Sequence, residues 1–408
     1  MPDPLNHSYY RATANPWSAQ HSDWQASSFD VAVIGGGFTG LSAALACAEK
    51  GLNVVLFEAH SIGFGASGRN GGQLIPGLRW SMRDIDAAFG RARAQAIFDL
   101  AYGAVDRVRD RIRQHAIACD LRPGHLDAAY KPAHFDTMRR DADFLAQSYG
   151  WPADIVAPQD LGEHIDGGDY HGGIYDRRGG HFHPLNYALG LAQACVEAGV
   201  TIVENCRVSP ADLRATSVVL ATDTWTQGVN RKLGRYTIPI MNYNIATAPL
   251  PGARSLLPSN AAAADSRFVL NYFRLSADNR LIFGGGEKYV QSPPANIAAF
   301  VRKHMVQVFP SLTDTPIDYA WGGAVGVTMN RLPHMGREGN VFFAHGFSGH
   351  GALVTTLAGE LLAEAVVGTM DKFDVFASLP HQPFPGGRWL ARPLATLGLL
   401  WYAMRDRL

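Results

Sequence analysis

The sequence has few cysteines, no excess of charge of either sign and no long apolar run, and each absence narrows the class of protein. The cysteines are scattered without CxxC spacing, which predicts reduced, buried thiols rather than a disulfide framework; they are Cys47, Cys119, Cys195 and Cys206. Lys plus Arg number 36, as do Asp plus Glu. Because a basic excess is missing, we expect no nucleic-acid partner.

No apolar stretch reaches the roughly 18 to 20 residues that a membrane-spanning helix requires. The nearest runs from Pro393 to Met404, with arginines on both sides. A terminal helix packed on the body of the protein is favoured over a membrane-surface helix, because apolar helix faces usually serve cores. Residues 1–28 lack the basic start and apolar run of a secretory signal, so we expect a cytoplasmic location.

The length and one local pattern predict the architecture. A chain of 408 residues exceeds what one compact core usually accommodates, so we expect two domains with a cleft between them. An apolar run at Asp30–Ile34 ends at three glycines, helix-forming residues follow from Leu41 to Lys50, and a second apolar strand at Asn53–Phe57 ends on Glu58. This is the order of a Rossmann-type βαβ unit.

The glycines of this unit have the spacing of a dinucleotide site. Gly35, Gly37 and Gly40 form G-x-G-x-x-G between strand and helix, which permits a tight turn and a close approach of the backbone to pyrophosphate. Glu58 at the end of the next strand can accept hydrogen bonds from ribose hydroxyls. An acidic residue here suits NAD and FAD equally, so this motif leaves the two open.

Two further glycine-rich segments favour FAD. The segment Gly65–Gln73 (GASGRNGGQ) follows Glu58 closely, where its backbone and its Ser, Arg, Asn and Gln side chains could meet pyrophosphate and the edge of a flavin. The turn Gly346–Gly351 (GFSGHG) opens a helix but lacks the ending of a P-loop. The N-terminus of that helix would stabilise negative charge on a reduced flavin.

The remaining pattern predicts an α/β chain with a second sheet. Residues 85–112 have helical spacing, 130–169 give weak helix and loop signals, and Leu185–Glu197 predicts a helix followed by strands at Val200–Glu204 and Ser217–Ala221. Segments between Tyr236 and Val290 are rich in β-formers and predict an antiparallel sheet.

With these motifs the chain resembles the D-amino-acid oxidase superfamily of flavoproteins and, within it, the γ-glutamylputrescine oxidoreductases. The resemblance covers almost the whole chain. The matching segments are SYYRATAN, DVAVIGGGFTGLSAALACAEKG, GFGASGRNGGQ, RFVLNYFRLSADNRLIFGGG, WGGAVGVTMNRLPHMGR, GNVFFAHGFSGHG and the tail FPGGRWLARPLATLGLLWYAMRDRL.

The resemblance implies a Rossmann-type FAD-binding domain, discontinuous over residues 29–79, 172–226 and 323–372. It also implies an interleaved antiparallel-sheet substrate domain over 80–171, the helical part, and 227–322, as in sarcosine oxidase. Residues 1–28 are an N-terminal extension and 373–408 a C-terminal tail with a helix. The implied FAD contacts are Gly35, Gly37, Phe38, Thr39, Gly40, Glu58, Ala59, Ala66, Ser67, Gly68, Arg69, Asn70, Gly71, Gly72, Gln73, Val208, Ala221, Trp225, Phe347, Ser348, Gly349, His350 and Gly351.

Two departures from the family pattern concern the nucleotide end. The segment between Val208 and Ser217 is shorter than the small hairpin such enzymes usually carry, and ATDTW (Ala221–Trp225) is an unusual form of its motif. The contacts at Val208 and Ala221 depend on these segments.

Oxidation of an amine requires the neutral amine, which an apolar pocket favours without a dedicated base. Aromatic residues of the segments that should line the cleft suit such a pocket: Tyr243, Tyr272, Phe273 and Trp321. Arg274, if it projects into the cleft, is the preferred partner of a substrate carboxylate. His350 could contact flavin or substrate. The candidate catalytic residues are therefore Tyr272, Arg274, Trp321 and His350.

A metal site is not expected. The histidine pairs His181/His183 and His345/His350 are not joined by a cysteine or carboxylate at ligand spacing.

The leading hypothesis is an FAD enzyme, with noncovalent cofactor, that oxidises a γ-glutamylated primary amine to an aldehyde and ammonia. Two alternatives stay open: an oxidase or dehydrogenase of secondary amines or N-methyl amino acids on the same scaffold, and a flavin-bound electron-transfer subunit without substrate chemistry. The sequence leaves open whether O₂ or another acceptor reoxidises the flavin.

Overall fold

A computed structural model describes residues 7–18, 24, 28–288 and 293–385. Its helices are α1 (Tyr9–Ala12), α2 (Phe38–Ala48), α3 (Met82–Phe89), α4 (Arg91–Gln114), α5 (Pro132–Tyr149), α6 (Pro184–Glu197), α7 (Thr226–Val229), α8 (Ile297–Val308), α9 (Gly351–Val366) and α10 (Asp371–Ala377). The expected terminal helix at 393–404 lies outside the described residues.

The strands are β1 (Phe29–Ile34), β2 (Val54–Phe57), β3 (Gln73–Leu74), β4 (Arg122–Ala128), β5 (Asp154–Val156), β6 (Gly173–His181), β7 (Thr201–Val203), β8 (Ala215–Leu220), β9 (Ile238–Thr247), β10 (Ala262–Asp265), β11 (Tyr272–Leu275), β12 (Leu281–Lys288), β13 (Ile317–Val327), β14 (His334–Glu338) and β15 (Val341–His345).

The first sheet has the strand order β14-β15-β8-β1-β2-β7. All neighbours are parallel except β14, which pairs antiparallel with β15. It contains the predicted βαβ unit, β1-α2-β2. Helix α2 packs against α6 and α9 and buries every residue from Phe38 to Cys47. Its approach to α9 is close, since a Cβ on Gly359 would lie 2.6 Å from the backbone nitrogen of Ala43.

The second sheet is larger, with the order β13-β9-β12-β11-β10-β4-β6-β3 and β5 paired to β6. Strands β9, β11 and β12 are antiparallel, as the segments between Tyr236 and Val290 predicted. Strand β10, however, pairs in parallel with β4, so the sheet is mixed rather than antiparallel. Helix α8 packs on it and closes a separate apolar core.

Strand β6 corrects the predicted division of the chain. The range 172–226 was assigned to the FAD-binding segments, yet β6 pairs with β4 and β5 in the larger sheet. Strand β4 itself lies in the range expected to be helical. Both errors have one physical cause: β4 and β6 contain charged residues and glycines, and their strand structure depends on pairing between distant segments.

The region before β4 folds as two helices. Gly90, with φ 78°, ends α3 and precedes α4.

None of the helices within the described residues is long and apolar enough to cross a membrane. Cys47, Cys119 and Cys195 are buried thiols, and Cys206 is half-buried and also unpaired. Tyr9 and Tyr10 of α1 are buried too, so part of the N-terminal extension belongs to the core.

Candidate functional site

A cavity of about 690 Å³ runs from the carboxyl ends of β1 and β2 to the face of the larger sheet. At the first end it is bounded by Ile34 and Phe57, the last residues of the two parallel strands, and at the other by Asn242 and Tyr272 of β9 and β11. Clefts at the carboxyl ends of parallel strands are the usual ligand sites of such sheets.

The nucleotide end is built from the backbone of a tight glycine turn. Gly35 has φ 116°, and a Cβ there would lie 2.4 Å from the carbonyl oxygen of Ala221. A Cβ on Gly40 would lie 1.9 Å from the carbonyl oxygen of Gly35. Helix α2 starts after Gly37, which provides no side-chain cap. Ser67 Oγ accepts the N–H of Phe38, and the N-terminus of α2 faces the cavity, where it favours an anion such as pyrophosphate.

Glu58 stands beside this turn with its carboxylate held in place. Its two oxygens accept hydrogen bonds from the backbone N–H groups of Gly36 and His60, each at 2.8 Å. Burial raises the pKa of Glu58, whereas these two N–H groups oppose the rise. Each carboxylate oxygen keeps a further lone pair for a ribose hydroxyl.

The loop Ala66–Gln73 is held by its own polar side chains. Ser67 Oγ accepts the N–H of Phe38 at 3.0 Å, and Asn70 donates to the carbonyls of Ala66 and Ser67, both at 3.0 Å. Arg69 Nε donates to the carbonyl of Phe64 at 2.7 Å. These side chains, expected from the sequence to reach toward the cofactor, therefore act first on the shape of the loop.

Two of the catalytic candidates lie behind this loop and not in the cavity. Arg274 Nε donates to the carbonyl of Gly71 at 2.8 Å, and Trp321 Nε1 donates to the carbonyl of Arg69 at 3.0 Å. Both side chains are buried, and neither lines the cavity. The interpretation of Arg274 and Trp321 as cleft residues was wrong, because the loop backbone covers this part of the sheet.

Of the four aromatic residues expected in the cleft, Tyr272 lines it. Its hydroxyl donates to Asn242 Oδ1. Tyr243 and Phe273 belong instead to the core under the larger sheet. The strand alternation that places Tyr272 on the cavity face turns Phe273 to the opposite face.

The turn before α9 forms another wall. Residues 347–351 line the cavity, and the N-terminus of α9, at His350, has no side-chain cap. The Gly346 N–H donates to Asp223 Oδ1 at 2.8 Å, which ties the turn to the ATDTW segment. Burial lowers the pKa of His350 to about 3, and Arg79 contributes to the decrease. His350 is therefore neutral at ordinary pH.

Most of the predicted cofactor contacts meet in this one cavity, including Val208, Ala221 and Trp225. The exceptions are Gly40, Gly68 and Gly72, which do not line it. Each of these three packs closely against neighbouring backbone, so each shapes the turns rather than contacting a ligand.

The same cavity has charged wall residues that sequence reasoning missed, and we call the part of the cavity that they line the chamber. They include Arg79, Asp127, Asp141 and Arg331. The alternation of His125 and Asp127 along β4 was the available signal, but β4 was not recognised as a strand.

Asp127 is connected through His125 to Gln73, the last residue of the loop Ala66–Gln73. Gln73 Nε2 donates to the carbonyls of Ala263, at 2.9 Å, and Phe273, at 3.3 Å, so its Oε1 accepts from His125 Nε2 at 3.3 Å. The other ring nitrogen of His125 lies 3.7 Å from Asp127 Oδ2.

The donor set fits the ADP part of FAD. A helix N-terminus that faces the cavity, a glycine turn that tolerates no Cβ and a positioned carboxylate match pyrophosphate and ribose. Within the described residues no group of three His, Cys, Asp or Glu side chains could hold a metal ion. Of the histidine pair His345/His350 considered in the sequence, His345 has His334 as its neighbour, with 2.8 Å between His345 Nε2 and His334 Nδ1.

Comparison with known proteins gives consistent results. The family model for FAD-dependent oxidoreductases (DAO) matches residues 30–365. The chain is 36% identical over 418 residues to γ-glutamylputrescine oxidoreductase of Escherichia coli K12, covering 98% of each. It is also 36% identical to a probable oxidoreductase, OrdL, of Haemophilus influenzae, covering 93% of this chain and 92% of that one.

Solved structures share the fold. Glycine oxidase from Geobacillus kaustophilus superposes with a TM-score of 0.69 at 20% identity, covering 83% of this chain and 95% of that one. L-Proline dehydrogenase from P. horikoshii also gives 0.69 at 20% identity, covering 85% and 97%. These likenesses concern the fold, and they confirm the predicted fold class.

Proposed function

The chain belongs to the DAO family of FAD-dependent oxidoreductases, and we propose that it oxidises a γ-glutamylated primary amine, such as γ-glutamylputrescine. The imine product hydrolyses to an aldehyde and ammonia. One observation carries the proposal: the cavity with the nucleotide-binding turns continues into a chamber with cationic and acidic side chains. The near full-length similarity to an enzyme named for γ-glutamylputrescine supports this substrate class.

The cations of the chamber suit the carboxylate of a γ-glutamyl group. Arg331 lies over the ring of Phe268, with its guanidinium carbon 4.9 Å from the ring centroid, and this contact limits where the side chain can point. Arg79 lines the same chamber. A guanidinium pairs bidentately with a carboxylate. These two arginines take the role that the sequence had suggested for Arg274.

The Asp127–His125 pair is suited to accept the proton of the reacting amine. Gln73 Oε1 accepts from His125 Nε2, so Nδ1 is the ring nitrogen that faces Asp127. Nδ1 lies 3.7 Å from Asp127 Oδ2, so a proton taken up by this carboxylate would lie next to the ring. Burial raises the pKa of Asp127, and Asp176 adds to the rise, whereas His125 and Arg79 oppose it.

This pair is accessible to substrate. Nearly half of the Asp127 side-chain surface, 48%, is accessible, and Asp127 lines the cavity, whereas His125 is buried behind it. An alkylammonium ion has no lone pair and is not oxidised, so loss of its proton to Asp127 would prepare the amine for reaction. The sequence had predicted that desolvation alone would do this.

FAD, when bound, supplies the acceptor for the hydride that leaves the carbon next to the nitrogen. The uncapped N-terminus of α9 faces the cavity and would stabilise negative charge there. Neutral His350 adds no positive charge at pH 7. Tyr272, fixed by Asn242, would form a wall for the substrate.

Anaerobic mixing tests the substrate class. The holoenzyme is mixed with γ-glutamylputrescine, putrescine, sarcosine or glycine, and loss of the oxidised flavin absorbance is followed in time. We expect rapid bleaching by γ-glutamylputrescine and slow bleaching by putrescine. Rapid bleaching by sarcosine but not by γ-glutamylputrescine would establish the secondary-amine alternative, and no bleaching by any amine would favour the electron-transfer subunit. A peroxide assay in air then identifies O₂ as an acceptor or excludes it.

Arginine variants test the carboxylate site. Arg331→Gln should raise KM for γ-glutamylputrescine by about tenfold or more and change KM for putrescine little, since putrescine has no carboxylate. Arg113→Gln, an exposed substitution on α4, is the matched control. Equal effects on both amines would refute the assignment.

A further inference from the structure

A second cavity of about 340 Å³ lies against Arg274, the side chain that holds the loop Ala66–Gln73, which we call the flavin-binding loop. Its aspartate, arginine and histidine wall residues are Asp120, Arg122, His181, His183, Arg254 and Arg274. None of these six lines the large cavity. Three arginines against one aspartate leave an excess of positive charge.

Arg274 is the main indication of a ligand. Only 3% of this residue is exposed, and its guanidinium donates to the carbonyls of Gly71 and Leu275 and to the hydroxyl of Tyr10, at 2.8, 3.2 and 3.1 Å. These acceptors are neutral and use three of the five N–H groups of an arginine. Among the described residues no carboxylate lies within ion-pair distance of it. A buried charge without a counter-charge is costly.

The rest of the wall does not supply the missing negative charge. Arg122 and Arg254 are exposed at the cavity, and the described residues include no ion pair for either. His181 and His183 are buried, and burial, with repulsion by Arg274, lowers the pKa of each to about 3. His183 uses both ring nitrogens, with Thr13 and the Asn186 N–H, whereas Nδ1 of His181 has no hydrogen-bond partner in the described part of the chain. The wall therefore presents three arginines, two neutral histidines and a single carboxylate, Asp120.

We propose that this second cavity binds a small organic dianion, a short dicarboxylate, with one carboxylate on Arg274 and the other between Arg122 and Arg254. The planar fork of arginine matches a carboxylate bidentately. Two negative charges would balance the excess of the wall. The site is separate from the amine chamber and does not depend on the proposed substrate.

The site is connected to the flavin-binding loop through one side chain. Arg274 Nε holds the carbonyl of Gly71, and Gly71 lines the large cavity. A Cβ on Gly72 would lie 2.8 Å from the Arg274 guanidinium, so the loop and this side chain are in close contact. A ligand that pulls on Arg274 should therefore alter the surroundings of the flavin, and by linkage the loop should alter the affinity for the ligand.

Calorimetric titration of the holoenzyme tests the proposal with succinate, glutarate and inorganic phosphate as separate probes and sodium chloride as the control for ionic strength. We expect saturable binding of a dicarboxylate at one site per chain, accompanied by a difference spectrum of the flavin. Arg122→Gln/Arg254→Gln should weaken this binding by about tenfold or more. Arg113→Gln/Arg231→Gln removes the same charge from exposed positions elsewhere and should leave it unchanged.

Several outcomes would overturn the proposal. No saturable binding of either dicarboxylate, or equal weakening in both double variants, would do so. Binding of phosphate alone would reject the dicarboxylate assignment. Because a dicarboxylate could also enter the amine chamber, Arg79→Gln is titrated in parallel; loss of binding there, with retention in Arg122→Gln/Arg254→Gln, would place the ligand in the large cavity. Arg274→Lys, which keeps the charge and loses the fork, should weaken binding and remove the flavin difference spectrum.

Discussion

The two ends of the large cavity are built from different materials. At the cofactor end most contacts come from backbone, namely the turns at Gly35–Gly40 and Gly346–Gly351 and the N-termini of α2 and α9, and Glu58 adds one side chain. At the substrate end they come from side chains on separate elements, such as Arg79, Asp127 and Arg331. The glycines of the backbone site cannot be replaced by larger residues, whereas substitution of the side chains at the other end can change which ligand is bound. The first end therefore defines the cofactor and the second the substrate.

The largest effect should come from adding one carbon to the backbone end. In Gly40→Ala the new Cβ would lie 1.9 Å from the Gly35 carbonyl, so the turn must open. We expect the purified variant to contain little or no FAD, which absorbance at the flavin maximum per polypeptide measures.

Gly103→Ala is the matched control for this variant. Gly103 lies within α4 and has nothing within 4 Å of the added Cβ. It should keep full FAD content. A Gly40→Ala protein that retains FAD would show that the turn is not the rigid site described above.

A smaller but still large effect should follow from a change at the side-chain end. Asp127→Asn keeps the shape and removes the proton acceptor, so kcat/KM for the amine should fall by about 100-fold. FAD content should stay unchanged. In the wild type, activity should decline as the pH falls, because burial raises the pKa of Asp127 and the carboxylate becomes protonated. In Asp127→Asn this decline of activity should move to higher pH, where the amine loses its proton unaided.

His125→Gln tests whether the pair acts as a unit. It should reproduce most of the loss, whereas Asp136→Asn on the exposed face of α5 should not affect the rate. An unchanged pH profile in Asp127→Asn would contradict the role of Asp127.

Low pH should lower the stability of the protein through a cluster of histidines behind the backbone end of the cavity. His334, His345 and His381 lie together next to the Gly346 turn, and burial lowers their pKa values to about 2, 3 and 4. The unfolded chain, with ordinary histidine pKa values near 6.5, takes up these protons first, so stability should be lost as the pH falls from about 6.5 toward 4. Thermal unfolding of the holoenzyme measures this.

His334→Gln should make the unfolding temperature less dependent on pH over that range. The reference is His171→Gln, a substitution at an exposed position outside the cluster. If both variants lose the same stability at each pH step as the wild type, the cluster is not the cause.

The contrast between the two ends also explains what the sequence could predict. Gly35, Gly37, Gly40 and Glu58 lie within one short segment, and their spacing alone indicates a dinucleotide site. Asp127 and Arg331 are far apart in the chain, and both line the cavity only because of the pairing of β4 with β10 and the position of the loop after β13. No local pattern records such a pairing. Arg274 was misplaced for the same reason. Its strand was predicted correctly, but the loop at Gly71 and Gly72 covers its side chain through a long-range contact that no local pattern shows.

The smallest effect should lie between the two ends, at the support of the flavin-binding loop. Trp321→Phe removes the hydrogen bond to the carbonyl of Arg69, while Asn244 still donates to that oxygen, at 3.4 Å. The dissociation constant of FAD should rise by about three- to tenfold, since a hydrogen bond contributes about 1 kcal/mol, and KM for the amine should not change. Trp151→Phe, which loses a similar bond to Asp176 away from the loop, should leave FAD affinity unchanged. A higher KM in Trp321→Phe with unchanged FAD affinity would return Trp321 to the substrate wall.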